Sequence, residues 1–427
     1  MPRDGQGYPQ EHIGRNFTSE TNTMNKLTLA FAKAAAKNQE DQSDNLIISP
    51  YNAAMALSML AKAADGDTKE ELAQTLFGTD SDGLDSAIAQ LAQLNTDILD
   101  ANKDQVELRT ANGLWSNDDI LTLSQNFAAE LKQVFDAEIN GESFADPSVP
   151  GKINKWASDN TNGLIKDIVD NLTKDDFAIL ASALYFKGEW TNKFDKDLTE
   201  DRGFMTDDGY VSDTPMMKQV FMEEGDVKYL DSDDYEAVSM TYGEKDYQEG
   251  KQPTMRMVLI RPKDSSVDAR DLMSDQANGT IPTWMEPNAF ESVIGNVELP
   301  RMDIKQKHDL IPVLNDMGIN SVFDEKSADL TKMIEEKGET LYVNKVTHDV
   351  VFKTDEEGSE AAAVTTIGVV RATSVMPRMP KKIDIKFDRS YMFALQDIKT
   401  GTILFTGAVN KPNDEMKPRQ KSTGPKL

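Results

Sequence analysis

The sequence offers few side chains that could perform acid–base or nucleophilic catalysis. It contains no cysteine and only three histidines, His12, His308 and His348. A serine–histidine–aspartate triad would have to use His308 or His348. We expect His308, in the charged run KQKHD, to be exposed, and His348, in the alternating run VNKVTHDVVFK, to be buried and hydrogen-bonded. The chain also has no GxSxG, HExxH or phosphate-binding glycine-rich motif. The sequence therefore predicts a protein that is not an enzyme.

Charge and composition exclude several classes of partner. The 427 residues include 46 lysines and arginines against 73 aspartates and glutamates, a formal net charge of −27. A surface this acidic repels phosphate backbones and anionic membranes, so we expect neither nucleic acid nor a membrane as a partner. Without cysteine there is no disulfide, thiolate zinc site or iron–sulfur cluster. With so few histidines, we expect no metal and no cofactor.

The most informative segment covers residues 353–380, KTDEEGSEAAAVTTIGVVRATSVMPRMP. Between Gly358 and Val370 the only charged residue is Glu360, so this stretch could enter the interior of a sheet at little electrostatic cost. The prolines and arginines of residues 371–380 indicate an exposed loop that a protease could reach. Taken alone, the segment allows two interpretations. One is a strand-forming hinge joined to a cleavable loop, and the other, simpler one is an ordinary edge strand followed by a loop.

Helical patterns dominate the first third of the chain. Apolar residues recur on one helical face over residues 24–35, and the Ser-Pro pair at 49–50 is typical of a helix start. A further helix is predicted to begin at Asp67, with Glu70 in the capping-box position, and to end at Gly78. We therefore expect helices to come before most of the strands.

Short apolar segments bounded by turn residues follow later in the chain and are typical of buried strands. They span residues 178–186, 255–260, 292–300, 391–397 and 402–409. Helices early and strands late favour an α+β fold over an alternating α/β fold. No linker interrupts them, so we expect a single domain over residues 22–410. The tails, 1–21 and 411–427, are rich in glycine, proline and charge and are predicted to be disordered.

Nine sequence motifs follow one another along the predicted domain. They are NLIISPYNAAMALSML (45–60), ANGLW (111–115), INKWASDNTNGLIKDI (153–168), LASALYFKGEW (180–190), TPMMKQ (214–219), VELPRMDI (297–304), DLIPVLNDMGINSVFDEKSADLTKM (309–333), VTHDVVFKTDEEGSEAAA (346–363) and FTGAVNKP (405–412). In this order and spacing they resemble the serpin family, and DEEGSEAAA is the most specific of them.

The resemblance implies both a fold and a mechanism. The fold is of the α+β class, with three β-sheets, about eight or nine helices and an exposed reactive-centre loop at about residues 356–380. A target serine protease, or in some cases a cysteine protease, attacks this loop and forms an acyl-enzyme. The cleaved loop then inserts into the main sheet of the metastable inhibitor and traps the protease. The resemblance thus implies a serine-type endopeptidase inhibitor that acts as a suicide substrate through a conformational change.

Carried over to this sequence, the resemblance assigns a hinge to the start of the loop. Glu356 opens the hinge, and the residues that must insert first are Gly358, Ser359, Glu360, Ala361, Ala362 and Ala363. Three consecutive alanines meet the family's requirement for small residues and favour an inhibitor. The alternative is a non-inhibitory serpin with a carrier, chaperone or storage role, for which a charged or proline-containing hinge is the expected sign.

The resemblance also assigns an ion pair at the top of the main sheet, a region called the breach in this family. Arg301, in LPRMDI, matches a basic position that pairs with the hinge glutamate. We expect Arg301 to pair with Glu356 close to Trp190. Loss of either partner is expected to loosen the top of the sheet and to favour latent or polymeric forms.

A second polar cluster, called the shutter, is implied beneath the opening of the main sheet. His348 matches its histidine, and Ser49 is expected opposite. Two positions depart from the family pattern, because Asn52 stands where serine is usual and Ser182 stands where asparagine is usual. We expect this exchange between facing elements to preserve the hydrogen-bond network.

The position of the reactive bond follows from the family's usual spacing. Counting from Glu356 leads to Ala372, followed by Thr373, which indicates an elastase-like or subtilisin-like target that accepts small residues. Arg371 would instead attract trypsin-like proteases. The stretch after Ala372 is longer than the family pattern, which leaves Arg378 as a third candidate.

Other expectations concern regulation and location. Some relatives bind heparin through basic helices, but the corresponding segment here, residues 81–104, is acidic, so we expect no heparin activation. We expect a monomer that is able to form loop–sheet polymers. Residues 1–17 lack the apolar core of a secretory signal. The resemblance favours an extracellular protein if a signal peptide has been removed, and a cytoplasmic one otherwise.

Overall fold

A computed structural model describes most of the chain. The described residues are 18–41, 43–206, 209–246, 248–274, 281–335, 341–359, 380–413 and 420–421. Their α-helices are α1 (Ser19–Asn38), α2 (Pro50–Ala63), α3 (Gly66–Phe77), α4 (Leu84–Asn102), α5 (Gln125–Phe135), α6 (Val149–Asn160), α7 (Asp271–Ser274) and α8 (Ile311–Met317). Their strands are β1 (Leu46–Ile48), β2 (Glu107–Asn117), β3 (Glu138–Glu142), β4 (Ala178–Glu189), β5 (Glu200–Met205), β6 (Tyr210–Phe221), β7 (Val227–Asp231), β8 (Tyr235–Tyr242), β9 (Met255–Pro262), β10 (Glu291–Pro300), β11 (Met302–Asp309), β12 (Thr347–Thr354), β13 (Gly358–Ser359), β14 (Lys382–Lys386), β15 (Tyr391–Asp397), β16 (Ile403–Val409) and β17 (Gln420–Lys421).

Local sequence signals explain the start of the first two helices. The side chain of Thr18 accepts a hydrogen bond from the amide of Thr21 and caps α1. Ser49 caps α2 in the same way, with Pro50 in the first turn. The helix predicted over residues 24–35 and the helix start predicted at 49–50 are therefore confirmed.

Helix α3 confirms one sequence prediction and contradicts another. It ends at Gly78, which has φ +64°, a conformation that glycine adopts without strain. The predicted start at Asp67 is wrong, because α3 already begins at Gly66. The capping box fails because the carboxylate of Glu70 accepts a hydrogen bond from the amide of Ser81, beyond the other end of the helix.

The described strands form three sheets. The largest has eleven strands in the order β1-β16-β15-β9-β8-β7-β10-β6-β17, with β14 paired to β10 and β5 paired to β6. The second has four strands in the order β13-β4-β2-β3, and the third is the pair β11-β12. The five strands predicted from the sequence coincide with β4, β9, β10, β15 and β16. With eight α-helices and three sheets in the part of the chain that the structure describes, the predicted α+β fold is confirmed.

The four-stranded and two-stranded sheets lie on either side of a gap. After β12 the chain turns back, with the amide of Asp355 donating to the carbonyl of Gly358 at 2.7 Å. Strand β13 then pairs antiparallel with the end of β4, where Gly358 lies opposite Glu189. We call this end of the gap its top. Further down, β4 and β12 line one cavity, and among the described strands none pairs with both. The fold thus places the start of the predicted reactive loop at the top of this gap.

Both predicted tail boundaries need correction. The N-terminal tail was expected to reach residue 21, but α1 begins at Ser19 because Thr18 caps it. The C-terminal tail was expected to be disordered throughout, yet Gln420 and Lys421 pair with Val211 and Tyr210 of β6. The edge of β6 offers unpaired backbone groups that a short strand can satisfy. The remaining tail residues, 1–17, 414–419 and 422–427, lie outside the described residues.

Neither a membrane-spanning helix nor a metal-binding cluster is present among the described residues. None of the helices that the structure describes is both long and apolar enough to cross a membrane. In the same residues, no group of three or more histidine, aspartate or glutamate side chains could hold a metal ion.

Candidate functional site

At the top of the gap an ion pair joins Glu356, in the turn after β12, to Arg301, which directly follows β10. The carboxylate of Glu356 accepts hydrogen bonds from Nε and Nη2 of Arg301, the latter at 2.7 Å. It also accepts a hydrogen bond from the hydroxyl of Thr199 at 2.6 Å. The side chain of Glu356 is 2% exposed and that of Arg301 is 47% exposed. The ion pair predicted from the sequence is thus present, with its acidic member buried.

Trp190 connects this ion pair to the turn between β12 and β13. Its indole Nε1 donates to the carbonyl of Asp355 at 2.9 Å, and its amide donates to the carbonyl of Glu357. The ring stacks on Tyr242 with 4.2 Å between centroids. Trp190 therefore lies close to Glu356, as predicted, and it fixes the backbone from which the hinge starts.

A second ion-pair cluster in the turn was not predicted from the sequence. The carboxylate of Glu357 contacts Nζ of Lys193 at 2.8 Å and Nζ of Lys196 at 2.7 Å. These lysines follow β4 closely, in the motif TNKFDKDL. A basic pair next to the LASALYFKGEW motif was the available signal, but sequence alone does not show which acid it meets.

The first two residues that are predicted to insert, Gly358 and Ser359, already pair with the four-stranded sheet. Gly358 has φ +152°, and a Cβ atom there would lie 2.0 Å from the carbonyl oxygen of Gly188, so only glycine fits. Ser359 lies opposite Gly188 in the pairing with β4. Its hydroxyl hydrogen-bonds that of Tyr242 at 3.0 Å, and the residue is 2% exposed. Strand β13 thus occupies the edge of β4 at the top of the gap.

The rest of the predicted loop lies outside the described residues. This holds for four hinge residues, Glu360, Ala361, Ala362 and Ala363, and for the reactive-bond candidates, Arg371, Ala372, Thr373 and Arg378. The chain is described again from Pro380 and enters β14, which pairs parallel with β10.

The lower part of the gap contains the predicted histidine cluster. Nε2 of His348 accepts a hydrogen bond from the amide of Ser49 at 2.9 Å, and the hydroxyl of Ser49 donates to the carbonyl of Leu404 at 2.6 Å. The expected exposure of His308 is wrong, because Nε2 of His308 donates to the carbonyl of Ile47 and its ring stacks on His348, which leaves it half-buried. The two histidines lie opposite each other in the pairing of β11 with β12.

The exchanged residues Asn52 and Ser182 contact each other as expected. The hydroxyl of Ser182 donates to Oδ1 of Asn52 at 2.7 Å, and Nδ2 of Asn52 donates to the carbonyl of Ser182 at 2.9 Å. Both residues and His348 line the same cavity of about 210 Å³. The structure therefore brings the four residues of the predicted cluster together around the gap.

Burial and hydrogen bonding shift the pKa values of the acidic site residues in a consistent direction. Burial alone would raise the pKa of Glu356, but hydrogen bonds from Arg301 and Thr199 outweigh it and lower that pKa. Hydrogen bonds from Lys193 and Lys196 lower the pKa of Glu357. Both carboxylates are therefore ionised at neutral pH and hold their cationic partners.

Burial raises the pKa of an acid but lowers that of a histidine, because in both cases it disfavours the charged form. It lowers the pKa of His348 to about 3, and the neighbouring His308 adds a smaller effect in the same direction. His348 is therefore neutral at physiological pH. This agrees with its role as a hydrogen-bond acceptor for the amide of Ser49.

Comparisons with known proteins agree with the motifs and with the geometry. The family profile described as "Serpin (serine protease inhibitor)" matches residues 22–412. Antitrypsin of Bombyx mori is 30% identical over 389 residues, which cover 90% of this chain and 92% of that protein. Serpin-Z10 of Arabidopsis thaliana is 30% identical and covers 94% of this chain and 99% of its own. Human neuroserpin is 29% identical, with 87% of each chain covered.

Solved structures support the fold alone, because their sequence identity is low. The native state of the thermophilic serpin tengpin has a TM-score of 0.76 and 23% identity, and covers 93% of this chain and 95% of its own. Thyroxine-binding globulin in complex with thyroxine has a TM-score of 0.74 and 24% identity, and covers 92% of this chain and 99% of its own. With the family profile matching nearly the whole chain, the protein belongs to the serpin family, whose profile describes serine protease inhibitors and not enzymes.

Proposed function

We propose that this serpin inhibits serine-type endopeptidases as a suicide substrate. The observation that carries the proposal is β13, in which Gly358 and Ser359 pair with β4 at the top of the gap. The chain continues from Ser359 into the predicted reactive loop. A strand has thus been started between β4 and β12, and cleavage of the loop would free the chain to extend it.

The free edges of the gap supply the driving force for this extension. Strand β4 pairs with β2 on one side, and β12 pairs with β11 on its outer side. Their facing edges carry backbone donors and acceptors that a new strand would satisfy. Insertion also buries apolar side chains of the loop. The uncleaved state withholds both gains, which makes it metastable.

The loop sequence is compatible with insertion. Beyond Ser359 the segment up to Val370 contains one charged residue, Glu360. Side chains alternate across a strand, so in an inserted strand Glu360 would point to the face opposite Ser359 and Ala361. Because Ser359 is buried against Tyr242, Glu360 would lie on the outer face of the sheet. The inserted strand would not bury a charge in the core.

The target is proposed from the reactive bond. Cleavage between Ala372 and Thr373 suits an elastase-like or subtilisin-like protease, because both accept a small residue before the scissile bond. A bond after Arg371 or Arg378 would instead suit a trypsin-like protease. The partner is thus proposed to be a serine protease that cleaves the exposed reactive loop. The inhibitor itself is proposed to be a monomer.

The test is to incubate the protein with an elastase, a subtilisin and a trypsin in turn. Denaturing gels would show whether an SDS-stable adduct forms, and mass spectrometry would identify the released C-terminal fragment. We expect an adduct with the elastase or the subtilisin and a fragment that begins at Thr373. A fragment that begins at Ala372 or Met379 would move the reactive bond to Arg371 or Arg378.

A matched pair of hinge variants tests the mechanism itself. Ser359→Arg places a charge in the buried position of β13 and should convert the inhibitor into a substrate that is cleaved without adduct. Ser359→Ala keeps the site small and should retain adduct formation. If the unmodified protein is cleaved by all three proteases without adduct, the thermal stability of the cleaved form decides. A large gain would indicate a working inhibitor facing the wrong protease, and no gain would support the non-inhibitory alternative.

A further inference from the structure

The cavity in the lower part of the gap has features of a ligand site. Its volume is about 210 Å³, more than the roughly 150 Å³ of an engineered apolar cavity that takes up benzene. Helix α2 lines it on one side, and helix α6 and the segment that follows α6 line it on another. Its walls are mainly apolar and include Leu57, Leu60, Ile165, Val169, Ile179 and Leu180.

Two buried polar atoms in the cavity wall have no hydrogen-bond partner. One is Oδ1 of Asp349, on β12, and the other is Nε1 of Trp156, on α6. The side chain of Asp349 is 5% exposed, and Trp156 is 8% exposed. A buried carboxylate oxygen without a partner costs free energy that a ligand with a donor would recover. These atoms give the cavity an anionic acceptor and a neutral donor.

The charged groups around Asp349 do not neutralise it. The nearest cation, Nζ of Lys307 on β11, lies 4.0 Å from Oδ1 of Asp349 but contacts the carboxylate of Asp170 at 3.1 Å. Lys305 and Lys345 act on Asp349 only through longer-range attraction, and Asp170 repels it. Burial is the main cause that raises the pKa of Asp349 to about 6. The carboxylate is therefore still mostly ionised at pH 7.5, inside an apolar wall.

We propose that this cavity binds a small amphipathic amine, whose ammonium group pairs with Asp349 and whose aryl or alkyl body fills the apolar space. A cation satisfies the buried carboxylate, and the apolar walls favour a body without further charge. The indole Nε1 of Trp156 remains available for one acceptor atom on larger ligands. A carboxylate ligand is disfavoured, because it would face Asp349 as a like charge.

An occupied cavity would oppose strand insertion. This consequence rests on the proposed function, because the cavity lies between β4 and β12, where the cleaved loop would extend β13. The amine should therefore slow insertion and divert the reaction from adduct towards cleaved, unadducted protein. Binding itself is measured without any protease, so failure of the ligand site and failure of the inhibitory function give different results.

Isothermal titration calorimetry with three probes of similar shape tests the proposal. At pH 7.5 we expect 2-phenylethylamine to bind at least tenfold more tightly than the neutral 2-phenylethanol, and 3-phenylpropionate not to bind. Asp349→Asn should abolish the preference for the amine. The control Asp159→Asn removes an exposed acid from α6 and should leave the preference intact, which separates the site from general attraction to an acidic surface.

Two results would overturn the proposal. One is equal binding of the amine and the alcohol, and the other is an amine preference that survives in Asp349→Asn. If Asp349→Asn does not fold, the pH dependence of the unmodified protein decides. Affinity for the amine must then fall between pH 7.5 and pH 5 as Asp349 is protonated, while affinity for the alcohol stays constant. A constant amine affinity over that range would equally exclude the site.

Discussion

Arg301 and Glu356 form a forked ion pair in which Nε of Arg301 contacts both carboxylate oxygens of Glu356 at 3.0 Å. The two residues belong to the end of β10 and the turn after β12. These elements meet where β13 begins. The pair therefore connects β10, the strand that β14 joins after the predicted reactive loop, to the turn from which the predicted hinge begins.

Glu356→Gln should loosen the top of the gap. The substitution keeps the shape of the side chain but removes the charge that Arg301 and Thr199 contact, and we expect a loss of about 1–3 kcal/mol in the free energy of unfolding. The midpoint of the first urea transition should fall, and the monomer should convert faster to polymers on size-exclusion chromatography. A monomer lifetime equal to that of the unmodified protein would contradict this role.

An exposed ion pair on the neighbouring strands provides the control. Asp303 and Lys353 contact at 2.9 Å with side chains 60% and 41% exposed, so Asp303→Asn should cost less than about 1 kcal/mol. The contribution of Glu356 to stability also depends on pH. Because the pKa of Glu356 is lowered in the folded state, its contribution is present at neutral pH and is lost as the pH falls through that pKa.

Glu298 is predicted to hold the far end of the reactive loop. Its carboxylate is 4% exposed and lies 2.8 Å from Arg202, 3.9 Å from Lys218 and 3.5 Å from Lys386. Lys386 ends β14, the strand that the chain enters after the loop. Glu298→Gln should weaken all three contacts and reduce stability by about 1–3 kcal/mol.

Hydrogen exchange tests whether Glu298 acts locally on β14, which a measurement of overall stability cannot show. The amides of residues 382–386 in β14 should exchange faster in Glu298→Gln, while those of β15 and β16 should keep their protection. Inhibitory activity should also decay faster on storage, as β14 separates from β10. Uniform loss of protection across all three strands would mean that Glu298 is only a general stabiliser.

The sequence predicted the elements of the fold better than their contacts. The five apolar strands followed from local patterns, and the ion pair of Arg301 with Glu356 followed from the resemblance of the motifs to the serpin family. Lys193, Lys196 and Thr199 were missed, because the acids they contact lie far away in the chain and only the folded sheet brings them together. His308 was misjudged for the same reason, since its charged neighbours say nothing of Ile47, which it contacts.

The single domain and the absence of heparin activation remain predictions. The single domain over residues 22–410 is supported by a main hydrophobic core that draws on residues from Met24 to Val409, beside a smaller apolar cluster around Trp115 and Trp156. The absence of heparin activation is supported by α4, whose sequence contains no lysine or arginine. The pairing of β17 with β6 was not predictable, because two polar residues in a tail carry no periodic signal.

The exchange of Asn52 and Ser182 predicts a reciprocal effect of mutations. Either Asn52→Ser or Ser182→Asn alone removes one partner of the pair and should destabilise the protein by about 1–2 kcal/mol. The double variant restores the arrangement usual in the family and should recover most of that loss. Urea unfolding of the four proteins gives the coupling free energy. Additive losses in the double variant would show that the two side chains act independently.

His348 and Asp349 predict opposite pH responses at adjacent positions. The pKa of His348 is lowered to about 3 by burial. Below pH 6.5 the unfolded state therefore takes up a proton that the folded state refuses, and stability falls by up to about 1.4 kcal/mol per pH unit on acidification. The pKa of Asp349 is raised to about 6 by burial. Its effect has the other sign, because stability falls as the pH rises from the ordinary carboxyl range to 6.

Single variants separate these two contributions, which partly cancel between about pH 4 and pH 6. His348→Gln keeps an acceptor for the amide of Ser49 and should leave a protein whose stability rises relative to the unmodified one as the pH is lowered. Asp349→Asn should add about 1–2 kcal/mol of stability at pH 7.5 and nothing at pH 3.5, because the carboxyl group is then protonated in both states. Urea midpoints measured at five pH values would test both. A gain from Asp349→Asn that is the same at every pH would show that the buried charge is not its cause.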